Sequence, residues 1–129
     1  MNLPKFDQNL KGMASDPHTL ERLRRAMQLR KVESYEKRMF GGVCFMVDDK
    51  MCFGTYKSGI MFRVDPELTA QLVAREGVDQ MEQGGHSMKG FMLVEPHAYD
   101  RDEDMDFWID LCLAYNPQAN AAKKKKAKI

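Results

Sequence analysis

Long apolar runs are missing from this chain. No stretch approaches the roughly 18 consecutive apolar residues that a membrane-spanning helix requires, and no N-terminal segment joins a basic start to an apolar core. A soluble, cytoplasmic protein without a membrane association is therefore expected. Cysteine is scarce as well. Cys44, Cys52 and Cys112 are an odd number with no CxxC pair, which argues against both a disulfide framework and a zinc knuckle. They are expected to be reduced and mostly packed. The three histidines, His18, His86 and His97, stand at no metal-ligand spacing from one another or from the cysteines, so neither a metal nor a cofactor is expected. What the chain does have is 129 residues with 43% hydrophobic content, enough for one compact domain with a real core and too little for two.

A large excess of one charge is also absent, since the net charge is +1, but the charges are segregated. Residues 1 to 38 carry nine Lys/Arg against five Asp/Glu, and residues 95 to 122 carry one Arg against seven acids. The final "AAKKKKAKI" adds five lysines, and without them the rest of the chain stands at −4. That is not the electrostatic footprint of a strong nonspecific nucleic-acid binder. Any weak contact of that kind is expected from Lys123, Lys124, Lys125 and Lys126 in the tail, or from Arg22, Arg24 and Arg25 on the first helix. For the helix, simple solvation of a charged face is the competing explanation.

The order of elements can be followed along the chain. "SDPHTLERLRRAMQLR" has Asp16 as N-cap, Pro17 in the first turn and Leu20, Leu23 and Met27 at helical spacing, which predicts a helix to about Arg30. A strand at about Glu36 to Met39 then leads into three short apolar runs, "VCFMV", "MCFGTY" and "IMFRV", separated by "DDK" and "KSG". These are hairpin spacings, so an antiparallel meander is expected. "DPELTAQLVAREG" restarts helical signals with Asp65 as N-cap and Gly77 as the stop, and "GFMLVEP" reads as a fifth strand. "DEDMDFWIDLCLAYNP" closes the domain as a helix with acids in its first turn and Met105, Trp108, Ile109, Cys112 and Tyr115 on one stripe. This predicts an N-terminal segment over 1–14, one domain over 15–117 and a disordered, lysine-rich tail over 118–129. Hairpin-linked strands cannot be parallel, so the fold class is α+β: two layers, a mostly antiparallel sheet of about five strands with helices packed on it.

Two glycine-bracketed stretches invite a chemical reading. "GGHSMKG" places His86, Ser87 and Lys89 among Gly84, Gly85 and Gly90, and "RMFGG" places Arg38 beside Gly41 and Gly42. A phosphate-gripping loop follows a strand and opens a helix, whereas His86 precedes a strand. Adjacent residues on extended backbone rarely face each other, which weakens a Ser87–His86 nucleophile pair. The glycines are expected to serve as turns and bulges. The eleven methionines read as adaptable core filling, with a partner groove as their alternative use.

"EKRMFGGVCFMVDDKMCFG", "MFRVDPE", "GGHSMKGFMLVEP" and "DMDFWIDLCLAY" occur in this order, and together they resemble the N-terminal domain of the TfoX/Sxy competence-regulator family, over about Leu20 to Tyr115. The resemblance implies a two-layer α+β module. In the full-length regulators this module is followed by a second, helical domain, and the whole promotes transcription of DNA-uptake genes. It brings no catalytic residues with it; its motif positions here are Arg38, Met39, Phe40, Gly41, Gly42, Gly85, Met88, Lys89 and Gly90, expected to be mainly structural. Two function classes follow. One is a non-enzymatic binding and regulatory module acting through protein contacts. The other is a small anion- or ligand-binding protein, or enzyme, using Arg38, His86 and Lys89. Because the strands are apolar at successive positions, the sheet face left bare by the helices is expected to expose some of Val43, Phe45, Val47, Phe53, Tyr56 and Phe62. A protein partner or a second copy is expected to cover it.

Overall fold

A computed structural model of the protein describes residues 16–39, 41–57 and 59–119. Helix α1 runs over Pro17–Leu29 and buries Leu20, Leu23, Ala26 and Met27, the stripe its spacing dictates. Asp16 starts it, with its carbonyl accepting from Leu20 N–H at 3.0 Å. The Asp16 carboxylate does not cap a backbone N–H; it accepts from the Thr19 hydroxyl at 2.8 Å.

The chain then forms β1 (Tyr35–Met39), β2 (Gly42–Val47), β3 (Lys50–Tyr56) and β4 (Gly59–Arg63) as an antiparallel meander. Asp48 and Asp49 both lie in the left-handed region, at φ 57° and 63°. They form the two-residue turn whose twist suits the flanking strands. A 3-10 turn at Pro66–Leu68 leads into the short helix α2 (Thr69–Val73). Asp65 caps this turn, accepting from Glu67 N–H at 3.0 Å. The helix stops well before Gly77, shorter than its sequence suggested.

Next come β5 (Val78–Gln83) and β6 (His86–Val94), then α3 (Asp102–Tyr115). The sheet order is β1-β2-β3-β4-β6-β5, antiparallel throughout. The sheet therefore has six strands where about five were expected. The extra one, "VDQMEQ", is an edge strand with only Val78 and Met81 apolar, too polar to register as a strand.

The core lies between one sheet face and the helices. Phe45, Phe53, Phe62 and Met92 stand in register across β2, β3, β4 and β6. Ring centroids are 4.9 Å apart for Phe45–Phe53 and 5.9 Å for Phe53–Phe62, and Trp108 of α3 stacks on Phe62 at 5.5 Å. Such pairs contribute roughly 0.5–1.5 kcal/mol each beyond their burial.

This corrects the expected exposure: Val43, Phe45, Phe53 and Phe62 are buried beneath the helices, and Val47 packs at their margin. The opposite face carries Cys44, Met46, Met61, Phe91 and Leu93. When both faces are apolar, side-chain alternation leaves open which set meets the helices. A bulge between Phe45 and Met46 shifts the phase again, and Cys52 turns toward the helix layer with Phe53. Among the described residues the exposed large hydrophobics are Leu29 and Tyr35.

The segregated charges meet one another in the fold. Arg22 pairs with Asp102 at 3.3 Å, and Arg30 reaches Asp106 at 2.9 Å and Asp110 at 3.1 Å, so basic α1 lies along acidic α3. Arg24 makes a two-pronged bond to Glu36 of β1 at 2.8 and 2.9 Å.

Candidate functional site

The "GGHSMKG" motif is a hairpin and a bulge. Gly84 and Gly85 form the turn between β5 and β6, where Gln83 pairs with His86. His86, Ser87 and Lys89 are exposed, and Met88 is half-buried. The β5–β6 register then slips between Gln80 and Glu82, and Gly90 sits in the irregular stretch at φ 88°. Gly90 is where backbone meets backbone. Its N–H donates to Thr69 Oγ1 at 3.0 Å, and its carbonyl accepts from Val64 N–H at 2.7 Å. A Cβ here would lie 2.8 Å from the Val64 carbonyl oxygen. The motif thus locks β6 to the exit of β4 and the start of α2.

The "RMFGG" motif forms the end of β1 and the turn into β2. Arg38 is exposed on edge strand β1, Met39 is half-buried opposite Gly42, and Gly41 completes the turn at φ 77°. Phe40 lies outside the described residues. Gly42 lets β2 pass close against β3, since a Cβ would run into the Thr55 carbonyl. Buried Thr55 in turn accepts from Val43 N–H at 2.9 Å.

The fold does not bring Arg38, His86 and Lys89 together. Arg38 is on outermost β1, and His86 and Lys89 are on β6, four strand positions away. At about 4.8 Å per step this is roughly 19 Å, too far for one small anion to bridge.

The basic residues of α1 are largely engaged. Arg22 and Arg24 hold the pairs described above, and Arg25 sits in a shallow depression with Leu29, Asp102 and Asp106. Hydrogen bonding to Glu36 raises the pKa of Arg24 further, and the same bond from Arg24 holds the Glu36 carboxyl below its usual range. Lys123, Lys124, Lys125 and Lys126 lie outside the described residues. Among the described residues no cluster of three His, Cys, Asp or Glu side chains could hold a metal ion, and no helix is long and apolar enough to cross a membrane.

Two concavities were not anticipated. A groove of about 830 Å³ runs between the second half of α1, the chain entering β1 and the β2–β3 turn. Met27, Val32, Phe45 and Val47 contribute its apolar lining, and Glu33, Asp48 and Asp49 give it acidic margins. Tyr35, about half exposed, donates its hydroxyl to Asp49 at 2.8 Å, and this bond raises the tyrosine pKa. Edge strand β1 borders the groove with side chains exposed over most of its length. The sequence signal was thin: isolated Val32 and Tyr35, with an acidic turn that read only as a hairpin.

The second concavity, about 110 Å³, lies at the start of α1, among Asp16, His18, Thr19, Arg22, Lys57, Tyr99 and Asp100. Its volume would accommodate a few water molecules. Burial pushes the Tyr99 hydroxyl up to about 12, against a smaller lowering by its bond with Thr19.

Comparison with known families gives one result on this geometry. The profile of the TfoX N-terminal domain matches residues 27–115, from within α1 to the end of α3. No curated protein and no solved structure matches the chain.

Proposed function

Because the chain belongs to the TfoX N-terminal domain family, we propose that it is a non-enzymatic binding and regulatory module that acts through protein contacts made along the groove beside β1. One observation carries this reading: a groove of about 830 Å³ with mixed apolar and charged lining opens next to an exposed edge strand. An edge strand offers unpaired backbone groups to an incoming extended segment, and a neighbouring groove supplies side-chain pockets. The acidic margin at Glu33, Asp48 and Asp49 favours a segment with apolar anchors flanked by Lys or Arg. Competence regulation, the role the resemblance implies, is the setting in which we expect such a contact.

The test is capture of partners from native lysate on the full chain, with nuclease present. Tyr35→Ala combined with Asp48→Lys should abolish capture, while His86→Ala combined with Lys89→Ala should leave it intact. Capture lost only with the second pair, or removed by nuclease alone, would contradict the proposal.

A further inference from the structure

The outer edge of β1 is complementary to itself. β1 is the outermost strand, its side chains are exposed except for half-buried Met39, and among the described residues no strand pairs with its outer side. The direction of its backbone groups can be read from β2. Val43 N–H donates to Thr55 Oγ1 on β3, so Val43 turns its backbone groups away from β1. Arg38 stands opposite Val43. The two therefore exchange no backbone bonds, and the N–H and C=O of Arg38 point outward from the sheet. Alternation along the strand gives Glu36 the same outward direction. We propose that two copies of this chain join by antiparallel pairing of their β1 strands, with Lys37 on the twofold axis and Glu36 of each copy opposite Arg38 of the other.

Charge selects both the partner and the register. In an antiparallel pair an outward-facing residue must meet another outward-facing residue, and Glu36 against Arg38 is the arrangement that brings opposite charges together. Sliding the strands by two residues sets Glu36 against Glu36 or Arg38 against Arg38. Twofold symmetry makes the favourable pair twice, each with its own exchange of backbone bonds. Arg38 is also available for it. Among the described residues it enters no ion pair, and Glu36, already bonded to Arg24 at 2.8 Å, would bridge two guanidinium groups. The surroundings are polarised in the same sense. Glu33, Asp48 and Asp49 lie toward the Tyr35 end of β1, whereas Lys37 and Arg38 lie toward its other end. Antiparallel pairing lays the basic end of one copy beside the acidic end of the other, and Tyr35 then faces Met39, an aromatic–thioether contact. Two terms oppose association. Lys37 faces Lys37 across the axis, a like-charge pair, and a five-residue strand on each side is a small interface. The dimer is therefore weak and depends on concentration. The inference rests on β1 as the contact edge, the reading proposed above, and names a second copy of the chain as the partner that takes it.

Light scattering and native mass spectrometry of the full chain over a concentration series test the pairing. The unaltered chain should pass from monomer to dimer as concentration rises. Arg38→Glu and Glu36→Arg each set like charges opposite one another, and each alone should associate about tenfold more weakly. Mixed in equal amounts, the two variants restore both pairs and should form a heterodimer. Lys37→Thr removes the repulsion on the axis and should tighten the dimer. Glu36→Arg also loses the bond to Arg24, so if it fails to fold, Arg38→Glu and Lys37→Thr decide the matter. A monomer at every concentration overturns the proposal, as does a dimer that neither of those two changes affects. The groove reading fails separately: a monomeric chain that still captures partners through Tyr35 and Asp48 overturns self-pairing and leaves the groove standing, while a dimer that captures nothing else does the reverse.

Discussion

Replacing Gly42 by alanine probes the tightest inter-strand approach in the family motif. The added Cβ would run into the Thr55 carbonyl and lie 2.8 Å from Thr55 Oγ1. β2 and β3 must then separate, at a cost of about 1–3 kcal/mol for forced overpacking. Separation also strains the 2.9 Å bond from Val43 N–H to Thr55 Oγ1. A buried N–H left without its partner costs roughly 1–3 kcal/mol more. The two penalties overlap, because relieving the clash is what breaks the bond, so about 3 kcal/mol is expected in all. At about 4–8 °C per kcal/mol for a domain of this size, the melting temperature should fall by at least about 12 °C. Gly41→Ala is the control. Gly41 has φ 77°, but a Cβ added there would have no atom within 4 Å, so only the left-handed backbone cost of about 1–2 kcal/mol applies. Thermal unfolding followed by far-UV circular dichroism separates them. If Gly42→Ala melts within about 4 °C of the unaltered chain, or is less destabilised than Gly41→Ala, the close-approach argument fails.

Three further outcomes follow from particular side chains. Tyr99 has its hydroxyl pKa raised to about 12 by burial, against about 10 in an unfolded chain; the unfolded state loses that proton first, so stability is intact below pH 10 and declines as pH rises toward 12. Urea midpoints between pH 8 and 11.5 should fall less steeply for Tyr99→Phe, and parallel slopes would count against the assignment. His86→Ala and Ser87→Ala, at exposed positions, should shift stability by less than about 0.5 kcal/mol, whereas Gly90→Ala, whose Cβ would press on the Val64 carbonyl, should destabilise at least as much as Gly41→Ala. Chemical denaturation ranks these variants directly, and a neutral Gly90→Ala would remove the motif's structural explanation. Deleting residues 123–129 should abolish most nonspecific DNA affinity and flatten its salt dependence, since Arg22 and Arg24 are already paired with acids; fluorescence anisotropy with unchanged affinity would return the role to α1.

Much of the scaffold could be read from residue spacing. The α1 and α3 stripes and the short turns of the β-meander follow from local periodicity and turn chemistry, which require no tertiary information. β5 was hidden because "VDQMEQ" becomes a strand through pairing with β6, not through its own propensity. The choice of buried sheet face was hidden for another reason. Cys44 and Phe45 are both apolar, and only the packing of Trp108 on Phe62 reveals the phase that faces the helices. The charge blocks were visible, but their meaning was not. Arg30 and Asp110 are 80 residues apart in the chain and 3.1 Å apart in the fold. Turns and bulges could be expected of the motif glycines, but the atoms that demand glycine at positions 42 and 90, the Thr55 and Val64 carbonyls, come from distant segments. The groove was illegible for the same reason, since its lining combines α1, β1 and the β2–β3 turn.

The central claim is that this domain works through the groove beside β1 and not through the His86–Lys89 hairpin. Photo-crosslinking from a single unnatural residue in living cells tests it most directly, with the probe placed at position 35 in one chain and at position 86 in another. Both side chains are exposed and they lie toward opposite edges of the sheet. Discrete protein adducts from position 35 and none from position 86 are predicted. Adducts from position 86 alone would contradict the account and return attention to the hairpin.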